Sequence, residues 1–216
     1  LCLGKSGCEH SDAIEACDDD NPCTQDTCNP QSGCAHSDTV GCVVKLPYKQ
    51  PFACASKPAW EVSAAPPGSP RWTLDALPAL GVFTPGYKSP SCSLNFNLGP
   101  SLQCAPDGAD AVGTATSPWF STLELGGNPA LAVHYWLAGT WRAQDVLSLQ
   151  WQPKGDGAWQ TVQTHEGGAL GGTWQRHVGK LPLALSVAFR LRWHMASPDC
   201  AKAANLTGPF VDDVQV

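Results

Sequence analysis

Charge is scarce in this 216-residue chain: only 15% of residues are Asp, Glu, Lys or Arg, and Met occurs once. There is no basic stripe, so the electrostatic footprint of a nucleic-acid binder is missing. No apolar run approaches the roughly 18 residues of a membrane-spanning helix, and no convincing helical stripe appears. Catalytic signatures are missing as well. There is no G-x-S-x-G, no Gly-rich phosphate loop leading into a helix, and no H-x-x-x-H spacing among His134, His165, His177 and His194. His10-Ser11-Asp12 and His36-Ser37-Asp38 hold the residue types of a hydrolytic triad, but adjacent residues cannot face one another in triad geometry. The expectation is a non-catalytic protein.

Cysteine is what the chain has in excess. Eleven occur, and seven fall in the first 42 residues: Cys2, Cys8, Cys17, Cys23, Cys28, Cys34 and Cys42. No C-x2-C pair is present, which disfavours zinc knuckles and favours disulfides in an oxidising compartment. The same segment is acidic, with one basic and eight acidic residues in 1–44. Such clustering suits calcium or a solvated surface.

The leading segment repeats. Cys2-Leu-Gly-Lys-Ser-Gly-Cys8-Glu-His-Ser-Asp12 matches Cys28-Asn-Pro-Gln-Ser-Gly-Cys34-Ala-His-Ser-Asp38. One unit is expected to own Cys23, Cys28, Cys34 and Cys42, and the preceding unit Cys2, Cys8, Cys17 and a cysteine upstream of Leu1. The first repeat is then truncated and the parent chain longer; the alternative is a free or intermolecular thiol. With Leu1, Leu3, Ile14 and Val40 as its main large apolar residues, the segment cannot offset its chain entropy by burial. Disulfides worth about 2–4 kcal/mol each would take that role.

Asp18-Asp19-Asp20-Asn21-Pro22-Cys23-Thr24-Gln25-Asp26-Thr27-Cys28 through Gly33-Cys34 resembles the slime-mould CTDC extracellular-matrix repeat, also found in large secreted bacterial proteins. Asp20 stands where that repeat usually has Gly. The resemblance implies a stalk or matrix module over residues 1–42 and no chemistry.

Residues 43–57 read as a linker and lead-in strand, and 58–216 as a second domain. Period-two alternation marks strands at Leu131, Val133, Tyr135 and Leu137, and at Leu147, Leu149 and Trp151. It recurs at Leu185, Val187, Phe189, Leu191 and Trp193, with Ser186, Arg190, Arg192 and His194 on the other side. Phe210, Asp212, Val214 and Val216 are expected on one face of a last strand. Gly126-Gly127-Asn128, Gly155-Asp156-Gly157 and Gly167-Gly168 are turn signals. The fold class is all-β: a small disulfide-rich repeat segment followed by an antiparallel β-sandwich, a jelly roll.

Trp72-Thr73-Leu74-Asp75, Ser93-Leu94-Asn95-Phe96-Asn97, Ala115-Thr116-Ser117-Pro118, Asp145-Val146-Leu147 and Phe210-Val211-Asp212-Asp213-Val214 occur in an order similar to that of MAM-like, galactose-binding-like jelly rolls of secreted bacterial proteins. That resemblance implies adhesion, protein contact or glycan binding without catalysis, and in some members a structural calcium.

Candidate sites follow. Asp212 on a core-facing strand needs a hydrogen bond, a partner or a metal, so Asp212, Asp213 and Asp75 are candidate ligands of a structural Ca2+. Asp18, Asp19, Asp20, Asn21 and Asp26 could also bind calcium, but they lack EF-hand spacing, which favours solvated turn acids. Among nine Trp, Trp136, Trp141 and Trp159 are candidates for a sugar-stacking platform, against the plainer role of filling a core. Cys54 is expected to pair with Cys200 and Cys92 with Cys104, although sequence permits three pairings. Asn205-Leu206-Thr207 is a glycosylation sequon. The leading expectation is an extracellular or cell-surface matrix protein. In it a repeat stalk carries a jelly-roll module that contacts copies of itself, other extracellular proteins or glycans. The alternative is a carbohydrate-binding module of a larger secreted enzyme.

Overall fold

A computed structural model describes residues 17–19, 21–29, 32–52, 54, 59–63, 69–75, 88–89, 92–97, 110–123, 125, 131–155, 157–167, 173–181, 188–198 and 206–216. These residues form an all-β chain: a small disulfide-stapled hairpin and an antiparallel β-sandwich of jelly-roll type.

The hairpin pairs β1 (Thr24–Asn29) with β2 (Gly33–Asp38), Cys28 opposite Cys34. Gly33 sits at φ 87°, a left-handed geometry that costs an L side chain energy and that glycine adopts freely. Cys17 bonds Cys34, and Cys23 bonds Cys42; Cys28 is disulfide-bonded as well. The expected self-contained unit of Cys23, Cys28, Cys34 and Cys42 is therefore corrected, because Cys17 of the preceding unit reaches across to β2. The cross-links fit an extracellular or secreted setting.

One sheet of the sandwich runs β13 (Gln175–Lys180), β10 (Ala132–Thr140), β15 (Gly208–Gln215), β7 (Ser93–Asn97), β6 (Arg71–Asp75), with β4 (Lys49–Gln50) added to β15. The other runs β12 (Gln160–Glu166), β11 (Val146–Pro153), β14 (Phe189–Ser197), β8 (Ala111–Thr116), β5 (Glu61–Val62). β9 (Trp119–Ser121) pairs with β14 and, in parallel, with β3 (Val43–Lys45). Residues 43–52 thus send one strand to each sheet, and bury Val44, Tyr48 and Phe52 in the core. Cys23–Cys42 ends one residue before β3, which ties the hairpin to the sandwich edge.

Alternation on β14 decides the core. Phe189, Leu191, Trp193 and Met195 are fully buried, each contributing about 1.5–3 kcal/mol. They meet Tyr135 from the facing sheet and lie beside Phe120 and Leu149 of the neighbouring strands β9 and β11. Leu185, Val187 and the sequon residue Asn205 lie outside the described residues.

Two expectations are overturned. Cys54 pairs with Cys92, not Cys200, nor Cys92 with Cys104; the bond joins the segment after β4 to the start of β7, which flank β15 on the same sheet. Cys104 and Cys200 lie outside the described residues. In β15, Phe210 and Asp212 do not share a face with Val214. Asp213 takes a left-handed φ of 49°, and the opposite strand slips register between His134 and Trp136. This bulge flips the alternation, since one extra residue reverses side-chain direction. Val211 and Val214 enter the main core, while Phe210 packs with Ala138 and Trp174 in a separate cluster.

Candidate functional site

The outward side of β14 carries Arg190, Arg192 and His194, all half-buried. Register sets Gln152, Gln150 and Ser148 of β11 opposite them, and Thr116 and Thr114 of β8 opposite Arg192 and His194. The result is a polar face built from adjacent rows, because residues two apart on neighbouring strands share one side of a sheet. Arg190 Nε donates to Gln152 Oε1 at 2.8 Å, and Arg192 Nε to Gln150 Oε1 at 2.6 Å. Gln152 Nε2 in turn donates to the Gly157 carbonyl at 2.9 Å, in the turn before Trp159.

Two indole rings bracket these guanidiniums. Arg190 Cζ lies 4.6 Å from the Trp119 ring centroid and 5.2 Å from that of Trp159; Arg192 Cζ lies 4.2 Å from Trp159. Lys154 Nζ approaches Trp119 at 5.9 Å. The contacts hold planar cations over ring faces, each worth about 0.5–2 kcal/mol. Among the described residues neither Arg190 nor Arg192 forms an ion pair with a carboxylate. Burial and the neighbouring Arg190 charge pull the Arg192 pKa down, and burial with Arg192 pulls His194 down. The Nη nitrogens of two unneutralised arginines are left free of partners among the described residues. Beside them opens a cleft of about 350 Å³ between the hairpin and the sandwich, lined by Asn21, Thr39, Trp60, Glu61, Trp119 and Arg190.

Of the three expected platform residues, only Trp159 belongs to this face. Trp141 exposes 3% and is core, so it offers no ring to a ligand. Trp136 is half-buried on the other sheet beneath Lys88, whose Nζ is 4.5 Å from its ring. Trp119, Gln150 and Gln152 were not singled out by sequence. The signal that could have found the face was the outward set Arg190, Arg192 and His194, already visible in the alternation.

Asp212 is fully buried. Its Oδ2 accepts from the Lys88 and Ser89 amides at 2.7 and 2.9 Å, and its Oδ1 from the Asp213 amide at 2.8 Å. Burial nevertheless pushes its pKa up to about 7. Three amide donors satisfy the carboxylate, which is the hydrogen-bonded alternative to a cation. β7 separates Asp75 on β6 from Asp212 on β15.

The structure also joins two histidines that sequence left apart. His165 of β12 and His177 of β13 pack with ring centroids 4.7 Å apart at the sandwich edge, and the Tyr135 hydroxyl lies 2.8 Å from His165 Nε2. Burial, then the neighbouring imidazole, lowers the His165 pKa to about 4; burial lowers His177. Both are neutral packing groups at ordinary pH.

No protein-family model matches the sequence, and no curated protein matches it. Among solved structures, the chain is similar to the C-terminal family 22 carbohydrate binding module of Clostridium thermocellum Xyn10B, at TM-score 0.47 and 11% identity over 78% of this chain and 90% of that one. It is also similar to the K3 cleaved adhesin domain of Lys-gingipain from Porphyromonas gingivalis, at TM-score 0.43 and 12% identity over 73% and 90% of the two chains. A third likeness is to CsCBM6-3 from Clostridium stercorarium, at TM-score 0.38 and 11% identity over 82% and 97%.

Proposed function

We propose that this chain is an extracellular carbohydrate-binding module, and that the outward face of β11, β14 and β8 with Trp119 and Trp159 is its ligand platform. The observation that carries the reading is the unneutralised Arg190–Arg192 pair held between two indoles and oriented by Gln150 and Gln152. A pyranose ring stacks its C–H face on an indole, while guanidinium and amide groups bind its oxygens. Two uncompensated positive charges favour glycans bearing carboxylates, since Arg binds a carboxylate in bidentate fashion. Such a module would serve a larger secreted protein that acts on, or holds to, an acidic polysaccharide.

Self-assembly into a coat has less support. Among the described residues the exposed large apolar side chains are Val40, Val43, Val62, Val112, Leu123 and Val178, spread over separate segments. Single exposed apolar residues are ordinary on protein surfaces.

Affinity electrophoresis through polygalacturonate, alginate and a neutral glucan tests the reading. The expected result is retardation by the uronate polymers, weakened about tenfold or more in Trp159→Ala and Arg192→Gln, and reduced by salt. No retardation by any polymer, or retardation unchanged in both variants, refutes it.

A further inference from the structure

The cysteine-rich hairpin carries a second cluster, remote in kind from the platform. β1 and β2 place Asp26 directly opposite His36. His36 Nδ1 lies 2.8 Å from Asp26 Oδ1, a contact that holds the Asp26 pKa below the usual carboxylate range. Asp19, two residues past the bridged Cys17, is drawn onto the same spot. Its amide donates to Asp26 Oδ2 at 3.1 Å. Its Oδ1 accepts from the Asn21 amide at 3.0 Å and the Thr24 hydroxyl at 2.8 Å.

Asp19 Oδ2 is left over. The side chain is 10% exposed, and this oxygen is shielded from solvent without a hydrogen-bond donor. It faces His36 Nδ1 at 3.6 Å. A buried anionic oxygen with no donor is costly unless a cation or a hydrogen bond meets it.

We infer that Asp19 Oδ2, Asp26 Oδ1 and His36 Nδ1 form a binding site for a zinc-class divalent cation. The three atoms lie within 4.8 Å of one another. Metal–ligand bonds near 2.0–2.2 Å put neighbouring ligands of a tetrahedral ion roughly 3.4 Å apart, and the separations of Nδ1 from the two carboxylate oxygens, 2.8 and 3.6 Å, straddle that value. One imidazole and two carboxylates suit Zn2+, Co2+ or Mn2+; Ca2+ takes six to eight oxygens and has little use for the nitrogen. Sulfur does not compete, since Cys17, Cys23, Cys28, Cys34 and Cys42 are all in disulfides. Binding replaces the His36–Asp26 hydrogen bond, the imidazole giving its Nδ1 lone pair to the ion and carrying its proton on Nε2. His36 belongs to the repeated S-G-C-x-H-S-D string, where His10 holds the matching place in the earlier copy.

The test uses the whole chain with disulfides intact, stripped with chelator. Calorimetric titration with zinc chloride should show one saturable site, with calcium chloride far weaker. Asp19→Asn and His36→Gln should each weaken zinc binding about tenfold or more. Cobalt provides a second readout on the unaltered chain: visible d–d bands without a thiolate charge-transfer band. Absence of saturable zinc or cobalt binding, calcium tighter than zinc, a thiolate band, or affinity surviving His36→Gln would each overturn the assignment.

Discussion

Asp145→Ala should be among the most damaging single changes in the sandwich. Asp145 is fully buried at the entrance to β11. Its Oδ2 accepts from the Arg142 amide at 2.8 Å, and its Oδ1 from Arg142 Nη2 at 2.7 Å and Ser197 Oγ at 2.8 Å. Arg142 Nη2 also donates to Ser197 Oγ and the Pro198 carbonyl, so one pair joins the turn before β11 to the end of β14. Arg142 is itself only 10% exposed. Removing the carboxylate takes the anionic partner from a buried guanidinium, which typically costs about 3–5 kcal/mol. In a chain of this size that corresponds to a fall in Tm of roughly 6–20 °C. Urea and thermal denaturation of the oxidised protein give the number. The same reasoning requires that Asp145→Leu combined with Arg142→Met recover most of the loss, because the cost lies in burying the positive charge without its carboxylate. A loss below about 1 kcal/mol in Asp145→Ala, or a double variant worse than the single, would refute the account.

Two further outcomes follow from the geometry. Gly139 has φ 121°, and a Cβ built there would lie 2.0 Å from the Gly208 carbonyl oxygen, so Gly139→Ala should cost about 3 kcal/mol or more in a urea melt and disturb β10–β15 pairing. Asp212 has a folded pKa raised from 3.8 to about 7, so the folded state binds the extra proton between those values and stability falls as pH rises through that window. Three units correspond to at most roughly 4 kcal/mol; melts from pH 4 to 8 should show this slope in the unaltered chain and lose it in Asp212→Asn, and equal slopes would count against the buried-acid account.

Much of the sandwich was legible because period-two alternation is a local property. The alternation that buries Phe189, Leu191 and Trp193 also sends Arg190, Arg192 and His194 outward, and both halves could be read along one strand. Alternation fails where the backbone breaks its own period. The left-handed turn at Asp213 is invisible in composition, and it moved Asp212 away from the face of Val214.

Cysteine spacing by itself determined that the leading segment is held by disulfides, since so few apolar residues cannot offset its chain entropy. It could not choose partners, because Cys17–Cys34 and Cys54–Cys92 depend on which strands lie side by side. Tertiary structure alone decided the sites. Trp119, Trp159 and Arg190 are far apart along the chain and meet only because β9 and β11 both pair with β14. Asp19, Asp26 and His36 converge only when the hairpin closes and the Cys17 bridge draws its first turn inward. Residue type sets what each side chain can do; the register of one strand against another sets which of them can do it together.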